Sequence, residues 1–138
     1  MSLFVKLQQR QAEGRPIRIG LIGAGKFGSM YLAQVPRTPG VHLVGLADLS
    51  PAGARANLER VGWDARRLQA ASLDAAVKDG STHSGEDWRA LVTHPAIDVI
   101  VECTGHPIAA VDHCLEAFAH GKHVVNVTVE ADAFVAPC

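Results

Sequence analysis

A glycine run set between an apolar strand and a helix constrains this chain more than any other feature. Gly23-Ala24-Gly25-Lys26-Phe27-Gly28 has the spacing Gly-x-Gly-x-x-Gly. Directly before it, Ile17-Arg18-Ile19-Gly20-Leu21-Ile22 is short, apolar and β-branched, the pattern of a buried strand. After it, Phe27, Met30, Tyr31 and Val35 recur at helical spacing until Pro36 and Pro39 end the segment. A second apolar strand, Val41 to Ala47, closes on Asp48, 20 residues beyond Gly28. The glycine spacing alone is a weak signal. Strand, glycines, helix, strand and acid in this order specify a βαβ unit that binds a dinucleotide.

The residue types suit that chemistry. Gly23 permits a tight turn off the first strand, Gly25 lets backbone approach a pyrophosphate, and Gly28 lets the helix sit close on the sheet. Lys26 and Phe27 lie between them and count as part of the same cofactor-binding loop. The helix that starts here directs unpaired N–H groups and about half a positive charge at the phosphates. Asp48 is placed to accept hydrogen bonds from the adenosine ribose hydroxyls, each worth roughly 1.5–3 kcal/mol to a charged acceptor. The same charge repels a 2′-phosphate, so NAD is expected in preference to NADP. Arg55 is the residue that would serve a 2′-phosphate were Asp48 turned away. The plainer role for Asp48 is to start a turn or cap a helix.

Elsewhere strands alternate with helices, the mark of a Rossmann-type α/β fold with a doubly wound parallel sheet of about five strands. Residues 1–15 hold an N-terminal helix over Ser2 to Glu13, with Leu3, Phe4 and Leu7 on one face. Residues 16–138 form the dinucleotide-binding domain. Ser50-Pro51 reads as an N-cap followed by proline at the first helical position, opening a helix to about Val61. Gly62 to Ser72 is less regular, a short helix ends near Gly80, and Thr82-His83 is a stub of a third strand. Ser84 or Gly85 opens a helix over Glu86 to Thr93, with Trp88, Leu91 and Val92 inward, ahead of a buried strand, Asp98 to Cys103. Pro107 starts another helix whose Val111, Leu115 and Phe118, with Cys114 alongside, are expected to face the sheet until Gly121 stops it. His123 to Val129 is the fifth strand.

Thr104 and Gly105 follow the fourth strand, at the carboxyl edge where such sheets bind ligands, and are read as lining the nicotinamide-ribose side. Thr128, with Glu130, holds the matching edge of strand five. Glu102 reads either as a buried polar group or as a site residue, and His106 as a solvated loop histidine rather than a catalytic one.

Composition removes several alternatives. A net charge of −1 without a basic block argues against nucleic-acid or membrane-surface binding. No apolar run reaches the roughly 20 residues that span a bilayer, and the first residues lack a signal-peptide core, which points to the cytoplasm. Three scattered cysteines imply reduced thiols, and the seven histidines lack metal-site spacing.

Three stretches carry a family resemblance: Ile17 to Gly28, Val99-Ile100-Val101-Glu102-Cys103-Thr104-Gly105, and Gly121-Lys122-His123-Val124-Val125. They resemble the N-terminal NAD(P)-binding domain of homoserine dehydrogenase-like oxidoreductases. Gly14 to Gly25 and Val129-Glu130-Ala131-Asp132 most resemble the predicted homoserine dehydrogenases with a C-terminal SAF domain. A deoxyxylulose-phosphate reductoisomerase-like enzyme belongs to the same group.

The resemblance implies hydride transfer between a nicotinamide cofactor and a small alcohol or carbonyl substrate. It also implies a substrate and catalytic domain beyond this chain, so the catalytic residues are expected there and the chain alone should be inactive. Where homoserine dehydrogenases carry an Asn-Lys pair, this chain reads Thr128-Val129, which departs from homoserine as substrate. The competing readings are an NAD(H)-sensing module without catalysis and a sugar or imino-acid dehydrogenase of the broader family. Flavin or S-adenosylmethionine binding is the lesser option for such a glycine loop. A homo-oligomer is compatible with any of these.

Overall fold

The computed structural model describes residues 3–23, 33–35 and 38–127. Its elements are α1 (Leu3–Ala12), β1 (Ile17–Ile22), β2 (Val41–Ala47), α2 (Pro51–Arg60), a 3-10 turn (Ala65–Leu68) and α3 (Leu73–Asp79). They continue with β3 (His83–Gly85), α4 (Trp88–Thr93), β4 (Val99–Glu102), α5 (Pro107–Ala119) and β5 (His123–Asn126). The five strands form one sheet in the order β3-β2-β1-β4-β5, and every pairing is parallel.

This order reverses the winding direction between β1 and β4, and the crevice at their carboxyl ends is where open α/β sheets bind ligands. Backbone bonds hold the strand ends together at that edge. Gly23 N–H donates to Ala47 O at 2.8 Å, Cys103 N–H to Ile22 O at 2.8 Å and Asp48 N–H to Gly85 O at 2.9 Å.

Both faces of the sheet are covered, which is why β1, β2 and β4 read as nearly continuous apolar runs. One core gathers Ile19, Leu21, Leu43, Leu46, Val101 and Cys103 beneath Val35, Ala54 and Leu58. Opposite it, Ile22, Val44 and Ile100 pack against Ala76 of α3, Leu91 and Val92 of α4, and Ala117 of α5. The β1–β2 register shifts by one residue between Ile19 and Gly20. Leu43 and Leu46, three apart, therefore reach the same core, where strict alternation would separate them.

Caps fall where side-chain chemistry directs. The Ser50 hydroxyl accepts from Gly53 N–H ahead of Pro51, Ser72 accepts from Ala75 N–H, and Asp87 accepts from Ala90 N–H. Gly80 ends α3 in the left-handed region, at φ 74°. Asp87, not Ser84 or Gly85, therefore opens α4, and His83–Gly85 instead forms β3. Within the stretch read as irregular, Trp63 precedes a single 3-10 turn that Leu68 ends, and both are buried in the first core.

The expected inward face of α5 is corrected. Its buried residues are Ala110, His113 and Ala117, whereas Leu115 and Phe118 are each 60% exposed and Val111 is half-buried. Both stripes have helical spacing, so periodicity could not choose between them. The small alanines let α5 sit close on the sheet, and His113 turns inward to meet a buried carboxylate.

His42 on β2 gives the stability a pH dependence. Its Nε2 lies 2.7 Å from Ser81 O, and the residue is partly buried. Burial lowers its pKa, the Ser81 carbonyl opposes this, and the charges of Arg18 and Arg67 lower it further. The folded pKa lies below the ordinary value of about 6.5, so this contribution is full above about pH 6.5 and is lost as pH falls through the folded pKa. Urea midpoints should drop from pH 7 towards pH 5, and His42→Gln should flatten that slope.

Candidate functional site

A cavity of about 380 Å³ opens at the β1/β4 crevice. The end of β1 contributes Ile22 and Gly23, and the end of β2 contributes Ala47, Asp48 and Leu49. Glu86 and Trp88 approach from the β3–α4 side, Cys103 and Thr104 from β4, and His106, Ala109 and His113 from α5 and its N-cap.

Gly23 shows why a glycine is required at the turn. Its φ is +88°, and a Cβ built there would stand 2.8 Å from Thr104 Cα and 2.9 Å from Thr104 N. Real Cβ atoms do not approach backbone so closely, so only glycine lets the turn after β1 pack directly on the Cys103–Thr104 backbone at the cavity. Asp48 lies on the rim, partly buried, with Oδ1 accepting the Ser50 N–H at 2.9 Å. That bond orients the carboxylate at the tip of β2, so the turn-forming and ligand-facing readings of Asp48 are both compatible with its place. Leu49 beside it is 89% exposed, an apolar side chain left at the cavity mouth.

Three of the expected site residues, Gly23, Asp48 and Thr104, thus share one cavity. Gly105 follows at φ +73°, exposed and just outside the lining. Gly25, Lys26, Phe27, Gly28 and Thr128 lie outside the described residues.

Beneath the cavity sits an arrangement that the sequence left open. Glu102 is fully buried. Its Oε1 accepts the Thr104 N–H at 2.7 Å and the Thr104 hydroxyl at 2.6 Å, while Oε2 pairs with Nδ1 of His113. Burial, the largest influence, pushes the Glu102 pKa up. The hydrogen bonds from His113 and Thr104, with the charge of His113, outweigh it and hold the carboxyl below its ordinary range. Glu102 is therefore ionised, and its partners satisfy it as a buried charge requires. His113 also meets Trp88 edge-on, ring centroids 4.4 Å apart.

Glu102 answers to both of its earlier readings, since it is buried and also positions two residues of the cavity wall. His113 and Trp88 are the wall residues that periodicity hid, Trp88 having been read as core and His113 not singled out. The available signal was the buried carboxylate itself, which needs a donor from the helix that crosses β4. The neighbouring Cys103 thiol is pushed up to about 12 by burial and by the charge of Glu102.

Among the described residues, no group of three His, Cys, Asp or Glu side chains is arranged to hold a metal ion, and no helix is long and apolar enough to cross a membrane.

Residues 23–135 match the family described as homoserine dehydrogenase, NAD binding domain. The chain belongs to this family. It is an NAD(P)-binding domain of the oxidoreductase type, built as a five-stranded Rossmann-like α/β unit. A homoserine dehydrogenase from Thiobacillus denitrificans shares the fold with a TM-score of 0.61 and 24% identity, over 86% of this chain and 25% of that one. An NAD-binding oxidoreductase from Klebsiella pneumoniae superimposes with a TM-score of 0.55 and 26% identity, over 80% of this chain and 27% of the other. A glycosyl hydrolase family 109 protein from Porphyromonas gingivalis is 28% identical over 109 residues, 78% of this chain and 21% of its own length. The chain thus spans about a quarter of the length of the family relatives it matches.

Proposed function

We propose that this chain holds the cofactor in a homoserine dehydrogenase-like oxidoreductase that prefers NAD and acts on a small alcohol or carbonyl substrate. The observation that carries the reading is the shared cavity of Gly23 and Asp48 at the sheet's switch point. Gly23 lets the turn after β1 close onto Thr104 at the strand edge where such folds bind a pyrophosphate, and Asp48 offers a carboxylate to ribose hydroxyls at the neighbouring strand tip. When bound, the nicotinamide ring supplies the hydride chemistry, while the protein supplies binding and orientation. Thr104, anchored through Glu102, presents its backbone to the same opening. The groups that move the substrate proton belong to the remainder of the protein, so the chain by itself binds cofactor without turnover.

Titration calorimetry of the chain with NAD and NADP tests this. NAD should bind at least tenfold more tightly, because Asp48 opposes a 2′-phosphate. Tighter NADP binding would reverse the preference, and no binding of either would remove the cofactor role altogether. The name carried by the Porphyromonas relative favours a second reading, in which the substrate is a carbohydrate. Assaying the full-length protein against sugars and hydroxy amino acids separates the two.

A further inference from the structure

Two acidic residues stand together on the cavity rim. β2 and β3 pair in parallel with Ala47 opposite Gly85, and the Asp48 N–H donates to Gly85 O at 2.9 Å. The residues that follow, Asp48 and Glu86, are therefore neighbours at two adjacent strand tips, and both line the cavity. Asp48 is partly buried, with Oδ1 accepting the Ser50 N–H. Glu86 is exposed, and its carboxylate forms no hydrogen bond or ion pair among the described residues.

A lone exposed glutamate is ordinarily a solvated charge. The neighbour of this one is the carboxylate assigned to the adenosine ribose, in a domain whose family binds a nicotinamide dinucleotide. NAD and NADP differ only at the 2′ position of that ribose, where NADP carries a phosphate of about −1.5 to −2 charge. Among the described residues, the cavity lining holds no lysine or arginine, and Arg55 is not part of it. We infer that Glu86 is a second residue of cofactor specificity, which together with Asp48 closes the rim to a 2′-phosphate. The inference rests on the dinucleotide reading and extends it. Asp48 discriminates by binding hydroxyls that a phosphate would displace, whereas Glu86 discriminates by charge alone. Replacing Asp48 by itself thus leaves NADP facing a carboxylate.

Calorimetry with NAD and NADP on the wild-type chain, Glu86→Gln and Glu86→Asp tests this. Glu86→Gln keeps the size of the side chain and removes its charge, so the NADP-to-NAD affinity ratio should move towards NADP by about fivefold to tenfold. Glu86→Asp keeps the charge and should stay within about twofold of the wild-type ratio. Adenosine 2′,5′-bisphosphate and 5′-AMP lack the nicotinamide half and should show the same shift, which places it at the adenosine ribose. Salt gives a readout that needs no variant. Screening shortens the reach of a charge from about 10 Å at 0.1 M to about 3 Å at 1 M, so added salt should raise the wild-type NADP-to-NAD ratio. A cation at the phosphate would lower it instead. An unchanged ratio in Glu86→Gln, a Glu86→Asp that matches Glu86→Gln, a shift absent from the adenosine nucleotides, or a wild-type ratio that salt leaves fixed or lowers would each overturn the role of Glu86 while leaving NAD binding intact. Binding of neither dinucleotide by the wild type would overturn the dinucleotide reading itself.

Discussion

Gly23→Ala is expected to lower stability by about 2–4 kcal/mol and to abolish NAD binding in the chain that remains folded. Two independent costs combine. The φ of +88° disfavours any L side chain, and the new methyl would meet Thr104 and Cys103 backbone at 2.8–2.9 Å. Backbone of two paired strands cannot swing aside as a flexible side chain can, so relief requires β1 and β4 to separate at their carboxyl ends. That edge also frames the cavity, so binding should fall further than stability. Gly62→Ala provides the control: its φ is +102°, but nothing lies within 4 Å of the added atom. It should cost about 1 kcal/mol from strain alone and leave NAD affinity unchanged. Urea denaturation and calorimetry on both variants separate strain from collision. Equal losses in the two would show that the close approach at Thr104 is immaterial.

Glu102→Ala should cost about 3–5 kcal/mol at neutral pH, since it removes a buried, hydrogen-bonded carboxylate and leaves His113 and Thr104 without their acceptor. The pH dependence identifies the cause. The folded pKa of Glu102 lies below its ordinary range, so its stabilisation is present above the unfolded carboxylate value, about 4.3, and disappears as pH falls through the folded pKa. The gap between wild type and variant should therefore narrow in acid. A gap that stayed constant from pH 7 to pH 3 would mean that lost packing, and not the charge, carries the effect.

The parts of the fold that were legible in the sequence are those where one residue type has one physical use. Ile17 to Ile22 and Val41 to Ala47 are β-branched runs bounded by breakers, and they form β1 and β2 with the ends expected. Pro51 and Pro107 open α2 and α5 because the missing N–H costs nothing at a first turn. Less was visible where two arrangements satisfy the same local rule. The α5 stripe of Val111, Leu115 and Phe118 is as periodic as Ala110, His113 and Ala117, and only the carboxylate buried on β4 decides between them. The extra residue between Leu43 and Leu46 shows only once β1 is laid alongside.

For the site, the carboxyl-edge rule brought Gly23, Asp48 and Thr104 to one cavity. His113 stayed hidden because it lies two helical turns beyond that edge, on an element read for packing alone.

Cys103 shares the cavity floor with these groups, and its thiol, pushed up to about 12, is almost wholly un-ionised at physiological pH. Alkylating reagents and peroxides attack the thiolate, so this sulfur is chemically silent while the strand ends stay closed. Modification at Cys103 would consequently time the opening of the β1–β4 edge, making the residue a built-in clock for breathing of the floor.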